Sequence, residues 1–353
     1  MEREARTKCK HHRQHKPQRK LADALRCAGF DIFHGPFSPK KYNDLLECEG
    51  LEGLSRLPEE RRCTGSSGSN SSGSNSDYEA YLIGNTKHLW PVFLDWLQLR
   101  RQSAASTATA TATTTASSIE AHPLDTYERT AIERVVRESL GPDEEKGKGK
   151  DANCNTNCDT NACRCYELFF SSDLGTGLVS MARVASCSGF SYLDPHTHLS
   201  IHPRYGTWHS YRAVLLLASE GLPPGLFETG TKTETPILTP IQNPLSPIDA
   251  RKSRKAFDRA LAITTGTTTD ELMDEAMEEL CEMLGAGLYR DVRDERQEEN
   301  DNDNNNKTKS KNETVAAAWI ALRDSISIGR EDYRFGTNQL LYHYTKDPRH
   351  LLP

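Results

Sequence analysis

No apolar run in this 353-residue chain approaches the ~20 residues that a membrane-spanning helix needs; the longest, around 213–218, has the length of a strand. A basic excess is also missing. Lys and Arg number 44 against 50 Asp and Glu, a formal net charge of −6, which argues against nucleic acid as the main partner. Hydrophobic residues make up only 36% and aromatics 7%, low for a uniformly packed globule. The ten cysteines include no paired CxxC knuckles and are too sparse for a disulfide scaffold. Residues 1–20 are basic but lack a hydrophobic core, so no secretory signal is expected there. Reduced thiols and a cytoplasmic location are the resulting expectation.

The low apolar content is unevenly spread. Five stretches have almost none: the leader 1–20, "GSSGSNSSGSNSD" at 65–77, "SAASTATATATTTASS" at 103–118, 141–162, and "RQEENDNDNNNKTKSKNE" at 296–313. None can bury enough surface to offset its ordering entropy, so all five read as flexible insertions. The Ser/Thr/Pro-rich piece 228–247 reads as a loop. What remains, roughly 230–250 residues, fits one core. The expected layout is a disordered leader over 1–20 and a single domain over 21–353.

Between the insertions, periodicity is legible. "KLADALRCAGFDIF" reads as an amphipathic helix stopped at Gly29 and leading into a strand. "EAYLIGN" reads as a strand and "HLWPVFLDWLQL" as a helix. In "LDTYERTAIERVVRESLGP", Asp125 and Glu128 resemble a capping box, while Tyr127, Ala131, Val135 and Val136 share a face. "CYELFF" predicts a strand, "GLVSMARVASCSGFSYL" a helix or helix-turn, "TWHSYRAVLLLA" a long strand, "TTDELMDEAMEELCEMLG" a capped helix and "AAAWIALRDSI" a further helix. Helices and strands without regular βαβ alternation define an α+β fold.

Three groups invite chemistry. His196, His198 and His202 lie close in sequence, but no fourth metal ligand can be named and the first two sit in a Pro-flanked turn. Cys154, Cys158, Cys163 and Cys165 have the wrong spacing for a zinc site, and His11, His12 and His15 of the leader read in the same way. No metal site is assigned. The third group is "IHPRYGTWHSYRAVLLL" at 201–217. Strict alternation would put Trp208, Ser210 and Arg212 on one face and His209, Tyr211 and Ala213 on the other. Arg212 precedes an aliphatic run and should be partly buried. A buried guanidinium requires an anion, either a protein carboxylate or one belonging to a ligand.

The same stretch resembles the central strand of a cobalamin-processing family, methylmalonic aciduria and homocystinuria type C, which acts as cyanocobalamin reductase and alkylcobalamin dealkylase. The pattern I-H-P-R-[FY]-G-x-W-x-x-R is filled by His202, Pro203, Arg204, Tyr205, Gly206, Trp208 and Arg212, allowing one extra residue before the last arginine. "GFDIFHGPFSPKKYNDLL", "HPLDTYERTAIERVVRESL" and "ALRDSISIGREDYRFGTNQLLYHYTKDPRHLL" are similar to other family segments in the same order. The resemblance implies a nitroreductase-like α+β fold, an antiparallel sheet with flanking helices. It also implies base-off binding of cobalamin (vitamin B12) and removal of its upper ligand.

In that family, reduced flavin (FMN or FAD, with NADP chemistry behind it) drives decyanation. Glutathione is the co-substrate that takes alkyl groups. Carried over by position, Arg212, Arg323 and Arg349 would form a glutathione clamp. Val179, Ser180, Met181, Ala182, Leu193, Asp194, Pro195, Ser200 and Tyr211 would line the cobalamin pocket. The family's H-x-x-G reads S-C-S-G here, with Ser186 in the histidine's place and Cys187 beside it. A downstream cobalamin-trafficking protein is the implied partner, and a ligand-induced homodimer is left open. The alternatives are a non-catalytic cobalamin chaperone and a flavin-dependent reductase of another substrate.

Overall fold

The aliphatic run of 213–218 is explained by its place in the sheet. The computed structural model describes residues 21–60, 77–107, 122–140, 166–218, 241–267 and 303–351. Four strands, β1 (Ile32–Phe37), β2 (Tyr78–Asn85), β3 (Tyr166–Phe170) and β6 (Ser210–Ala218), form one sheet in the order β1-β2-β6-β3, so β6 is interior. Every pairing is antiparallel. Strands β4 (Tyr192–Leu193) and β5 (Ser200–Ile201) make a separate two-stranded ribbon.

Both faces of the sheet are covered. On one, Ala213, Leu215 and Leu217 pack with Leu21 and Leu25 of α1 (Leu21–Cys27), Phe93 of α3 (Leu89–Thr107), and Tyr127, Ile132 and Val136 of α4 (Pro123–Leu140). On the other, Tyr211, Val214, Leu216 and Ala218 meet Tyr42 and Leu46 of α2 (Pro39–Cys48) and Val184 of α5 (Met181–Cys187). A strand buried on both sides reads as a continuous apolar run. The C-terminal part adds α6 (Pro247–Thr265), α7 (Asp303–Asp324), α8 (Arg330–Tyr333) and α9 (Thr337–Thr345). Trp208, just before β6, is fully buried with Ile320, Phe335 and Leu340 of that region.

Regular alternation fails at one point in β6. Ile83 pairs with Ala213 but Gly84 with Tyr211, so Arg212 is an extra residue opposite the β2 backbone. A bulge of this kind breaks the period of two and re-aims side chains. Tyr211 therefore faces the α2/α5 side while Ala213 faces α4, rather than sharing a face as strict alternation required. Gly84 makes the bulge sterically feasible, because a Cβ there would come 2.7 Å from the Ser210 carbonyl oxygen.

Other expectations also meet the structure. Helix α4 begins at Pro123, so Asp125 lies in its first turn rather than at a cap, and Glu128 is buried within the helix. Proline suits the first turn because its missing N–H would be unbonded there. Of the helix or helix-turn expected over 177–193, the helix is Met181–Cys187, which ends before Gly189. The insertions expected over 103–118 and 296–313 are partly helical: α3 continues to Thr107 and α7 starts at Asp303. Neither stretch contains Gly or Pro, so nothing stops an established helix from propagating. The leader, 65–76, 108–118, 141–162, 228–240, the expected helix over 268–285, the four clustered cysteines and the leader histidines lie outside the described residues.

Candidate functional site

At the bulge, the Arg212 side chain is turned toward α4. Its Nε–H donates to Asn85 Oδ1 at 2.8 Å, at the end of β2. Glu128 of α4 brings Oε1 to 3.1 Å from the same nitrogen, with side-chain exposures of 11% for Arg212 and 5% for Glu128. That contact is an ion pair by distance, but its alignment does not make a hydrogen bond. Glu128 Oε1 and Arg212 Nη2 are both buried without a hydrogen-bond partner among the described residues. Burial pushes the Glu128 carboxyl up to about 7, against the opposing pull of Arg212, with nearby Asp125 raising it further.

Arg323 is in the last turn of α7 and is held by stacking as much as by hydrogen bonds. Its guanidinium lies 4.8 Å from the Trp208 ring centroid and 4.9 Å from that of Phe335. One Nη donates to the Thr207 carbonyl oxygen, and Thr207 Oγ1 donates back to the Arg323 carbonyl at 3.3 Å. His343 of α9 lies against Phe335, with ring centroids 5.5 Å apart. Burial, and then the positive charges of Arg212 and Arg323, hold its imidazole neutral, well below the usual histidine range.

Arg349 is placed differently. It donates through Nε to Asp347 Oδ2 at 2.7 Å and lies 3.8 Å from Glu313, with its side chain 49% exposed. Glu313 is ten residues upstream of Arg323 on α7, about 15 Å along the axis at 1.5 Å per residue. The structure thus gives Arg212 and Arg323 different partners, Asn85 and Glu128 for the first and Thr207 with two aromatic rings for the second, and holds Arg349 at separate carboxylates.

On the opposite face of the sheet is a column of near-parallel rings. Phe190 stacks on His34 at 4.7 Å, His34 on His202 at 5.3 Å, and His202 on Tyr205 at 4.3 Å. His209 meets His202 edge-on at 5.8 Å and Tyr211 at 4.7 Å. Burial lowers His34 to about 4, His202 to about 2 and His209 to about 3, so all three imidazoles are neutral in ordinary conditions. The positive charge of Arg323 also lowers His209. Among the described residues no group of three His, Cys, Asp or Glu side chains is arranged to hold a metal ion.

The residues expected to line a cobalamin pocket lie on the column's side of the sheet. Val179, Met181 and Tyr211 belong to its apolar core. The Ser180 N–H donates to Tyr42 Oη at 3.0 Å where α5 begins, and Ala182 follows in α5, partly exposed. Tyr211 Oη and Ser191 Oγ share a 2.5 Å hydrogen bond. Leu193 pairs with Ser200 across the ribbon, and Ser200 Oγ is buried without a partner among the described residues. Asp194 Oδ2 accepts from Thr197 N and Oγ1 at 3.0 and 2.6 Å, closing a turn that leaves Pro195 exposed. At α5, burial pushes the Cys187 thiol up to about 11, so it is not a ready thiolate.

Sequence reading singled out the stretch that holds His209 without giving it a role, and missed Asn85, Glu128, His343 and His34 as site residues. Only Glu128 carried a signal: it lies three residues before Ala131 and four before Ile132, a charge on a helix's apolar face. The others are assembled by long-range pairing.

No family model matches the chain, and no curated protein does. Among solved structures, it is similar to a C. elegans B12-trafficking protein, CblC, described as a human MMACHC homologue. That likeness covers 87% of this chain and 97% of the other, at 14% identity and a TM-score of 0.38. At such values it assigns no role to any residue.

Proposed function

We propose that this chain is a cobalamin-processing domain that binds cobalamin base-off and removes the upper ligand for handover to a downstream carrier. The observation that carries the reading is the Arg212 guanidinium. It ends the motif that runs from His202, a bulge turns it inward, and its Nη2 is buried without an acceptor among the described residues. A buried guanidinium nitrogen with no acceptor suits a carboxylate-bearing ligand.

Glutathione carries two carboxylates and a thiol. Held by Arg212 and Arg323, it would have its sulfur aimed and its thiol acidified by the nearby cations. Attack of the thiolate on the cobalt-bound carbon forms the S–C bond and breaks Co–C, leaving the bonding electron pair on cobalt as cob(I)alamin. Arg349 joins this clamp only by exchanging Asp347 for the ligand. The column side, with Val179, Ser180, Met181, Ala182, Leu193, Asp194, Pro195, Ser200 and Tyr211, offers the mixed apolar and polar wall that a corrin with amide side chains requires. Reduced flavin supplies the electrons for decyanation when it visits, and none of the described residues is assigned to it.

Full-length protein mixed anaerobically with methylcobalamin and glutathione should convert the visible spectrum to cob(I)alamin. Base-off binding without turnover would establish the chaperone instead. Absence of any cobalamin binding, with flavin reduction intact, would establish a reductase of another substrate.

A further inference from the structure

Glu128 does not fit a simple structural ion pair. The Arg212 Nε–H it approaches is already given to Asn85 Oδ1 at 2.8 Å, and its own Oε1 accepts no hydrogen bond among the described residues. Meanwhile Arg212 Nη2, the N–H that a carboxylate would satisfy, is left without an acceptor among the described residues. The charge of Glu128 balances Arg212 without engaging the fork. A carboxylate lying near a guanidinium without using its hydrogen bonds leaves those bonds free for a second carboxylate.

We propose that Glu128 is the resident counter-ion of Arg212, and that a ligand carboxylate binds there only as Glu128 takes up a proton. This rests on the glutathione reading of the arginine site and adds its regulation. Two carboxylates sharing one guanidinium in a buried site cannot both stay ionised. Before binding, the pair is Arg212 cation and Glu128 anion. After binding, it is Arg212 cation and ligand anion, with Glu128 neutral and one proton drawn from solvent.

The groups facing Glu128 favour such an exchange. Burial raises the carboxyl to about 7, Asp125 one turn earlier raises it further, and Arg212 of β6 and Lys346 beyond α9 oppose this. Tyr342 of α9 senses Glu128 and Asp125, and Tyr127 of α4 senses Glu128; burial raises both phenols to about 12, so they do not titrate in this range. His343 is held neutral by burial and by the positive charges of Arg212 and Arg323, and it offers no competing proton. Glu128 is therefore the group in this cluster poised to change charge near neutrality.

The test uses full-length, cobalamin-loaded protein and S-methylglutathione, which keeps both carboxylates but has no titrating thiol. Calorimetry in buffers of different ionisation enthalpy counts the protons exchanged. Wild type should take up close to one proton per ligand at pH 8 and little at pH 6. Its affinity should weaken about tenfold between those values. Glu128→Gln should exchange no proton and bind with an affinity that does not change over that range. The wild-type proton count stands alone if that variant folds poorly. Binding without proton uptake in wild type, or a variant that retains the wild-type pH dependence, overturns the role of Glu128 and leaves the glutathione reading intact. Failure of both glutathione and S-methylglutathione to bind wild type overturns the glutathione reading and this proposal with it.

Discussion

A guanidinium withdrawn from water needs acceptors in a fixed plane, and at Arg212 one of those positions is empty. Arg212→Ala removes the seat while leaving the opposite face of the sheet in place. The glutathione concentration for half-maximal dealkylation should rise about tenfold or more, the worth of one charge-assisted hydrogen bond. Base-off cobalamin affinity, read from the absorbance change, should move far less. Parallel losses in both would remove the clamp role. The side chain itself was legible in the sequence, as an arginine set directly before an aliphatic run. Its counter-ion was not, because the local sign at Glu128, a charge on a helix's apolar face, also fits a capping residue and does not point to a strand 84 positions away.

At the level of elements, the position of Arg212 depends on one irregularity between β2 and β6. Gly84→Ala would press a methyl group to 2.7 Å from the Ser210 carbonyl and 3.1 Å from Tyr211 Cδ1. The strands would then have to separate or slip at the bulge. The expected cost is about 1–3 kcal/mol, the usual range for overpacking. Thermal unfolding should show a fall of several degrees, with a weakened response to glutathione in the surviving fold. A variant that melts with wild type and keeps that response would mean the bulge does not depend on Gly84. Helices α1 and α4 and strands β2, β3 and β6 were readable because their periodicity is local. The bulge was not, since register is set by the partner strand and neighbouring residues give no sign of it. For the same reason His34 and His202, far apart in sequence, could not be seen to stack at 5.3 Å.

Across the whole molecule, several neutral imidazoles in the interior set an acid limit on the fold. His34, His202 and His209 fall to about 4, 2 and 3, and His343 lies well below the usual range, all chiefly through burial. In the unfolded chain each returns to about 6.5. Below that value the unfolded state binds more protons, so stability falls as pH falls, by up to about 1.4 kcal/mol per pH unit for each group. Glu128 acts with the opposite sign. Its folded value of about 7 lies above the ordinary 4.5, so the folded state gains stability as pH falls between those two values. One such group offsets one histidine and leaves about three uncompensated, a slope of roughly 4 kcal/mol per pH unit. Against a total stability of about 5–15 kcal/mol, that loss exhausts the fold within a few pH units of 6.5. Circular dichroism between pH 8 and 3 should show cooperative unfolding that begins above the ordinary carboxylate range. His34→Phe keeps a ring against Phe190 without a titrating nitrogen, and it should move the midpoint to lower pH. Unchanged ellipticity down to pH 3, or a midpoint indifferent to that substitution, would show that the buried imidazoles do not govern acid stability.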